Sequence, residues 1–102
     1  MIARIWHGVT AAHQEDEYVE YLNKTGVKDY LATEGNRGVQ VLRRIEAGQA
    51  HFLIISFWES LQAIKKFAGE EVEKARYYPE DADYLLAFEE KVTHYEVING
   101  VK

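Results

Sequence analysis

Phe52-Leu53-Ile54-Ile55-Ser56-Phe57-Trp58 decides how this chain folds. Seven residues, six of them large and apolar, are too few for a buried helix and rich in the branched and aromatic types that favour strands. Alternation puts Phe52, Ile54, Ser56 and Trp58 on one face and Leu53, Ile55 and Phe57 on the other. A strand apolar on both faces is expected to be covered on both.

The flanks supply one cover. Upstream, Val39 to Ile45 alternates as a second strand, and Glu46-Ala47-Gly48-Gln49 joins it to the first as a hairpin. Downstream, Ser60 is a helix cap, Leu61, Ile64, Phe67 and Ala68 form an apolar stripe, and Gly69 ends that helix. Further out, Ile2 to Val9 reads as a strand. Ile2, Arg4 and Trp6 point one way, and Ala3, Ile5, His7 and Val9 the other.

A helix follows from about Gln14 to Lys24, with Glu15, Asp16 and Glu17 at its positive end and Tyr18, Val19, Tyr21 and Leu22 as its stripe. Val27, Tyr30 and Leu31 suggest one more short helical piece. Val72 to about Tyr77 is expected to be helical and stopped by Pro79; a polar turn at Glu80, Asp81 and Asp83 then leads to a last strand around Ala87 to Ile98.

The resulting order is strand, helix, strand, strand, helix, strand. Right-handed crossovers place both helices on one face of a single antiparallel sheet, a ferredoxin-like α+β sandwich occupying residues 1–102 as one domain. The chain has no element left for the other face. A second copy docking sheet against sheet is the expected cover, so a homodimer closing an α/β barrel is the expected assembly.

Composition excludes several function classes. A net charge of −5 disfavours nucleic acid and anionic membrane surfaces as partners. The absence of cysteine removes disulfides, thiolate nucleophiles and cysteine-held metals. No apolar run is long enough for a membrane helix, and Met1-Ile2-Ala3-Arg4 does not open a signal peptide, so the cytoplasm is the expected compartment. The Asn23-Lys24-Thr25 sequon is then accidental. Gly35-Asn36-Arg37-Gly38 leads into a strand, unlike a nucleic-acid-clamping loop between helices. Phosphate-loop, dinucleotide, zincin and nucleophile-elbow motifs do not occur.

Ser56-Phe57-Trp58-Glu59-Ser60, the amphipathic helix after it and Lys74-Ala75-Arg76-Tyr77-Tyr78 resemble the antibiotic biosynthesis monooxygenase family of the dimeric α/β-barrel superfamily. The resemblance runs from Ile2 to Val97. It implies the homodimer and a pocket between sheet and helices. Members include cofactor-free oxygenases of aromatic polyketides and quinols, heme-degrading oxygenases, and proteins without known activity. The resemblance places Trp58 at the pocket wall and His7 where heme-degrading members carry a pocket asparagine. His7 is thereby a candidate base, and His7 and Trp58 are the expected catalytic pair.

Arg76, Tyr77, Tyr78 and Phe67 are the expected substrate contacts, suited to a phenolate or carboxylate. Each has a structural alternative: Trp58 as a core aromatic, His7 as a hydrogen-bonded structural histidine, Arg76 as a solvated helix-end charge. Antiparallel pairing can bring His51 beside His7, but no third metal ligand appears, and His13 and His94 show no partner pattern. Heme-degrading members carry an axial histidine where this chain has Arg76, which cannot ligate iron.

The expected function is therefore cofactor-free monooxygenation of a small aromatic or quinol-like molecule. A non-catalytic small-molecule-binding or stress-response protein on the same scaffold is the alternative, and heme degradation a further one.

Overall fold

A computed structural model describes residues 1–100. The chain runs β1 (Ile2–Ala11), α1 (Glu15–Lys24), α2 (Gly26–Ala32), β2 (Asn36–Glu46), β3 (Gln49–Trp58), α3 (Leu61–Ala68) and β4 (Thr93–Glu96), with short 3-10 turns at Ala12–Gln14 and Pro79–Asp83. The sheet order is β2-β3-β1-β4, antiparallel throughout, as the ferredoxin-like reading requires. Among the described residues no helix is long and apolar enough to cross a membrane.

Local chemistry explains the boundaries. The β2–β3 hairpin turns on Ala47 and Gly48, both at positive φ (51° and 76°), the geometry that matches the twist of the flanking strands. Ser60 Oγ accepts the Ala63 N–H at 3.2 Å to cap α3. α1 and α2 are one helical arm broken at Thr25, whose hydroxyl donates to the Tyr21 carbonyl at 2.7 Å.

Register fixes the two faces. Ile2, Arg4, Trp6, Gly8 and Thr10 lie opposite Trp58, Ser56, Ile54, Phe52 and Ala50 and share the helix-covered face. There Phe52, Ser56 and Trp58 are fully buried, together with Tyr18 from α1 and Ile64 from α3. Ile5, His7 and Val9 lie opposite Ile55, Leu53 and His51 on the other face. Nothing among the described residues covers that face: Leu53 is 38 %, Leu42 44 % and Tyr95 58 % exposed.

Two elements differ from expectation. Val72 to Tyr77 is not helical; it is an irregular strap in which Ala75 N–H donates to the Glu90 carbonyl (2.9 Å) and Val92 N–H to the Glu73 carbonyl (2.8 Å). A six-residue segment cannot repay helix nucleation by itself, and these pairings capture its backbone instead. For the same reason β4 is only Thr93–Glu96, because residues 90–92 pair with the strap rather than with β1.

Candidate functional site

Between the sheet and the helical layer the strap closes over a small cavity of about 20 Å³. Its walls are the sheet residues Arg4, Trp6 and Ile54, the α1 and α2 residues Tyr18, Leu22 and Tyr30, Phe67 from α3, and Arg76, Tyr77, Tyr78 and Asp81 from the strap and the turn after it. An aromatic box with two guanidinium groups and one carboxylate is suited to holding a flat, electron-rich ring and orienting a polar group on it. The volume is room for about one water, so a larger ligand enters only by displacing the strap or the helical arm.

A connected set of hydrogen bonds holds the strap in place. Trp6 Nε1 donates to the Tyr77 hydroxyl (3.2 Å), which donates to the Glu89 carbonyl (2.6 Å). Arg76 donates to the Phe67 carbonyl (2.9 Å) and pairs with Asp29 (3.3 Å), its guanidinium stacked 4.7 Å from the Phe67 ring centre and 5.0 Å from that of Tyr78. Asp29 also accepts from the Tyr78 hydroxyl (2.6 Å). Arg76 is therefore a clasp between strap, α2 and α3 at the rim of the cavity, rather than a solvated helix end.

Asp81 is the one carboxylate among the lining residues. It is almost fully buried, accepts the Tyr18 hydroxyl at 3.0 Å and the Tyr78 N–H at 2.7 Å, and burial pushes its pKa above the ordinary aspartate value. The folded state thus favours the protonated acid: Asp81 contributes stability below its ordinary pKa of 3.8 that is lost as pH rises through the raised value. Burial also pushes the Tyr18 and Tyr78 phenols up, so both stay protonated donors near neutral pH.

Arg4 carries the strongest electrostatic anomaly. It is 1 % exposed and makes no ion pair among the described residues. Its terminal nitrogens donate to strap carbonyls, Val72 at 2.6 Å and Lys74 at 3.1 Å, with the Tyr30 hydroxyl alongside, and its Nε has no partner. A buried charge without a counter-ion costs on the order of several kcal/mol. Desolvation accordingly lowers its pKa, while burial raises that of the neighbouring Tyr30 phenol, opposed only in part by the guanidinium.

Of the six residues expected at a site, Phe67, Arg76, Tyr77 and Tyr78 line the cavity together. Trp58 lies on the same face but one layer deeper, fully buried behind Tyr30 and Phe67 at 6.2 and 5.9 Å between ring centres, its Nε1 donating to Ser56 Oγ at 2.9 Å. His7 does not join them. Strand parity turns it to the open face, where its Nδ1 bonds Glu89 and its Nε2 lies 3.3 Å from His51 Nδ1. Trp6 stands at the cavity instead. No group of three metal-ligating side chains occurs among the described residues.

Composition gave no signal for Arg4 or Asp81, which the sequence placed only on a strand face with Ile2 and Trp6 and in a polar turn. The one available clue was parity, since Arg4 alternates with Ile2 and Trp6 on the apolar face. Trp6 itself depends on Gly8: a Cβ there would lie 2.1 Å from the indole ring. Gly8→Ala is expected to push the indole off Tyr77 and to cost roughly 1–3 kcal/mol in urea unfolding. Unchanged stability would mean that the Trp6 ring does not lie over Gly8.

The scaffold can be placed among known proteins. The chain aligns over its whole length with the heme degrader MhuD of Mycobacterium tuberculosis, solved with two hemes in its active site, at 19 % identity and a TM-score of 0.64, covering all of both chains. A protein of Bacillus cereus assigned as an antibiotic biosynthesis monooxygenase matches at 19 % identity and TM-score 0.65, over 99 % of this chain and 96 % of that one. One of Nitrosomonas europaea, assigned likewise, matches at 13 % and 0.65, over 97 % and 100 %. At these identities the likeness speaks for the fold alone. No curated protein sequence matches the chain. The family model for antibiotic biosynthesis monooxygenase, however, matches residues 5–75, from β1 into the strap and short of Arg76, Tyr77, Tyr78 and Asp81. Sequence and fold therefore agree: the chain belongs to the antibiotic biosynthesis monooxygenase family.

Proposed function

We propose that the protein is a cofactor-free monooxygenase of a small electron-rich aromatic, such as a quinol or an anthrone, bound in the cavity between sheet and strap. The observation that carries this reading is the lining itself: a box of aromatic rings containing one buried carboxylate with raised pKa and a buried guanidinium without a counter-ion.

In this reading Asp81 takes the proton that activates the substrate. The resulting carbanion reduces dioxygen and forms a C–O bond with it; the peroxide then loses water across its O–O bond. One oxygen atom stays in the product carbonyl and the other leaves as water; the electrons come from the two C–H bonds of the methylene carbon in an anthrone, and from one ring C–H and one phenolic O–H bond in a quinol. The protein excludes water, holds the ring and stabilises the anion.

Asp81→Asn is the direct test. The amide keeps an acceptor for Tyr78 N–H, and the Tyr18 hydroxyl can turn to accept from the new NH₂, so the turn is retained. Turnover in an oxygen electrode is expected to fall by about 10²-fold or more. In the wild type, activity is expected to drop as pH falls through the raised Asp81 pKa, with the acid limb above 3.8. Asp81→Asn turnover equal to wild type would remove Asp81 from the chemistry. His7 stands on the other face, so His7→Ala is expected to leave ring binding unchanged; a loss of binding would contradict this placement of the site.

The same reading makes the active protein a two-fold homodimer that buries the open sheet face. Ile5, Leu42, Leu53, Ile55, Phe57 and Tyr95 form an apolar surface there, and covering each large side chain is worth roughly 1.5–3 kcal/mol.

Heme fits these residues poorly. No histidine lines the cavity, and Arg76 offers no lone pair to iron. Hemin is accordingly expected to bind weakly and without a histidine-ligated spectrum. A tight one-to-one Soret titration followed by reductant-driven loss of the band would favour heme degradation instead.

A further inference from the structure

We infer that Arg4 is the receptor for an oxyanion on the bound ring, so that the ligand is taken as an aromatic carboxylate, phenolate or enolate. This rests on the cavity proposed above as the ligand site and adds the charge class of the molecule it holds.

Three observations carry it. Arg4 lines the cavity, is all but fully buried, and has no acidic partner. Its Nε–H is an orphaned donor. The groups around it are neutral or cationic: the Val72 and Lys74 carbonyls, the Phe67 ring 5.7 Å away, the Tyr30 phenol, and His94 across the strand pair. A folded chain seldom strands a guanidinium in this way, and an oxyanion supplies what is missing.

The two carbonyls that now hold Arg4 belong to the strap, one of the two segments whose displacement admits a ligand. A ligand oxyanion at the guanidinium therefore replaces contacts that opening removes. The Tyr30 hydroxyl beside Arg4 is a second donor for the same oxygen. Entry is from the α2 side, past Gly26 and Arg76, because the larger groove on the other side of Tyr77 is lined by five glutamates and only two lysines.

The probes are 2-naphthoate and its neutral counterpart 2-naphthamide, read by quenching of tryptophan fluorescence in the full chain. Wild type is expected to bind the carboxylate at least about tenfold more tightly. Arg4→Met, which fills the same space without charge, is expected to abolish that preference while leaving the amide affinity within about threefold. Arg4→Lys is expected to restore it in part. Equal binding of both probes by wild type, or a preference that survives Arg4→Met, overturns the inference while leaving the cavity as a ligand site. If neither probe binds, the cavity reading falls with it.

Should Arg4→Met not fold, the wild type still decides. Burial and Arg4 both push the His94 pKa down, so neutralising Arg4 must raise it. NMR titration is expected to show His94 rising with 2-naphthoate and not with 2-naphthamide. A shift common to both probes, or absent with both, contradicts the assignment. Naphthoate selectivity together with no oxygen uptake on quinols or anthrones would keep this inference and remove the oxygenase reading.

Discussion

Phe57→Asp is expected to turn a dimer into a monomer. Phe57 sits on the open face, opposite Ala3 on one side and Gly38 on the other, and points away from the helical layer. Its replacement leaves the interior of the subunit untouched while placing a carboxylate where the partner's sheet would lie. An unpaired charge in such a contact costs on the order of several kcal/mol, enough to shift dissociation by several orders of magnitude. Light scattering at micromolar concentration is expected to give twice the chain mass for wild type and one chain mass for Phe57→Asp, both with the same far-ultraviolet circular dichroism. A monomeric wild type at that concentration would remove the dimer.

Trp58→Ala is expected to be the most damaging single truncation in the interior. The indole is fully buried, packs against Tyr30 and Phe67, and donates to Ser56, whose hydroxyl lies 3.5 Å from the Arg4 carbonyl. Its loss removes the support behind the cavity wall and leaves a void that the rigid sheet cannot close. The cost is expected at about 3–5 kcal/mol, with a fall in Tm of roughly 15 °C or more for a domain of this size. Trp58→Phe should recover most of it. A loss below about 1 kcal/mol for the alanine variant would show that Trp58 does not carry the core.

The third strand told most of the fold. Its double apolar character, with a Gly-containing hairpin before it and a capped amphipathic helix after it, predicts the sheet, the covered face and the open face. The structure shows all three, and the cover for the open face is the dimer proposed here. Parity in the first strand was legible too, separating Arg4 and Trp6 from His7; only the pairing with the third strand shows that the first two point inward and His7 outward. The resemblance aligned His7 with a pocket residue, whereas the register of β1 on β3 turns it to the open face.

The strap was beyond reach. Glu71 to Arg76 has good local helix propensity, but its conformation is set by partners far along the chain: the Glu90 carbonyl, the Val92 N–H and the Arg4 guanidinium. Asp81 was hidden for the same reason, because only the folded chain brings Tyr18 and Tyr78 to its two oxygens. Four of the six expected site residues nevertheless meet at one cavity, because Phe67, Arg76, Tyr77 and Tyr78 flank the end of α3 that faces it.

The proposed oxygenation within this cavity needs only the protein's own side chains. It is tested most directly by incubating protein freed of metal and heme with an anthrone or quinol under heavy-oxygen-labelled dioxygen, beside the Asp81→Asn variant. Oxygen uptake equimolar with substrate, one labelled atom in the product carbonyl, and loss of most of the rate in the variant are expected. Tight binding of the ring with no uptake above the uncatalysed rate would contradict it and leave a binding protein on this scaffold.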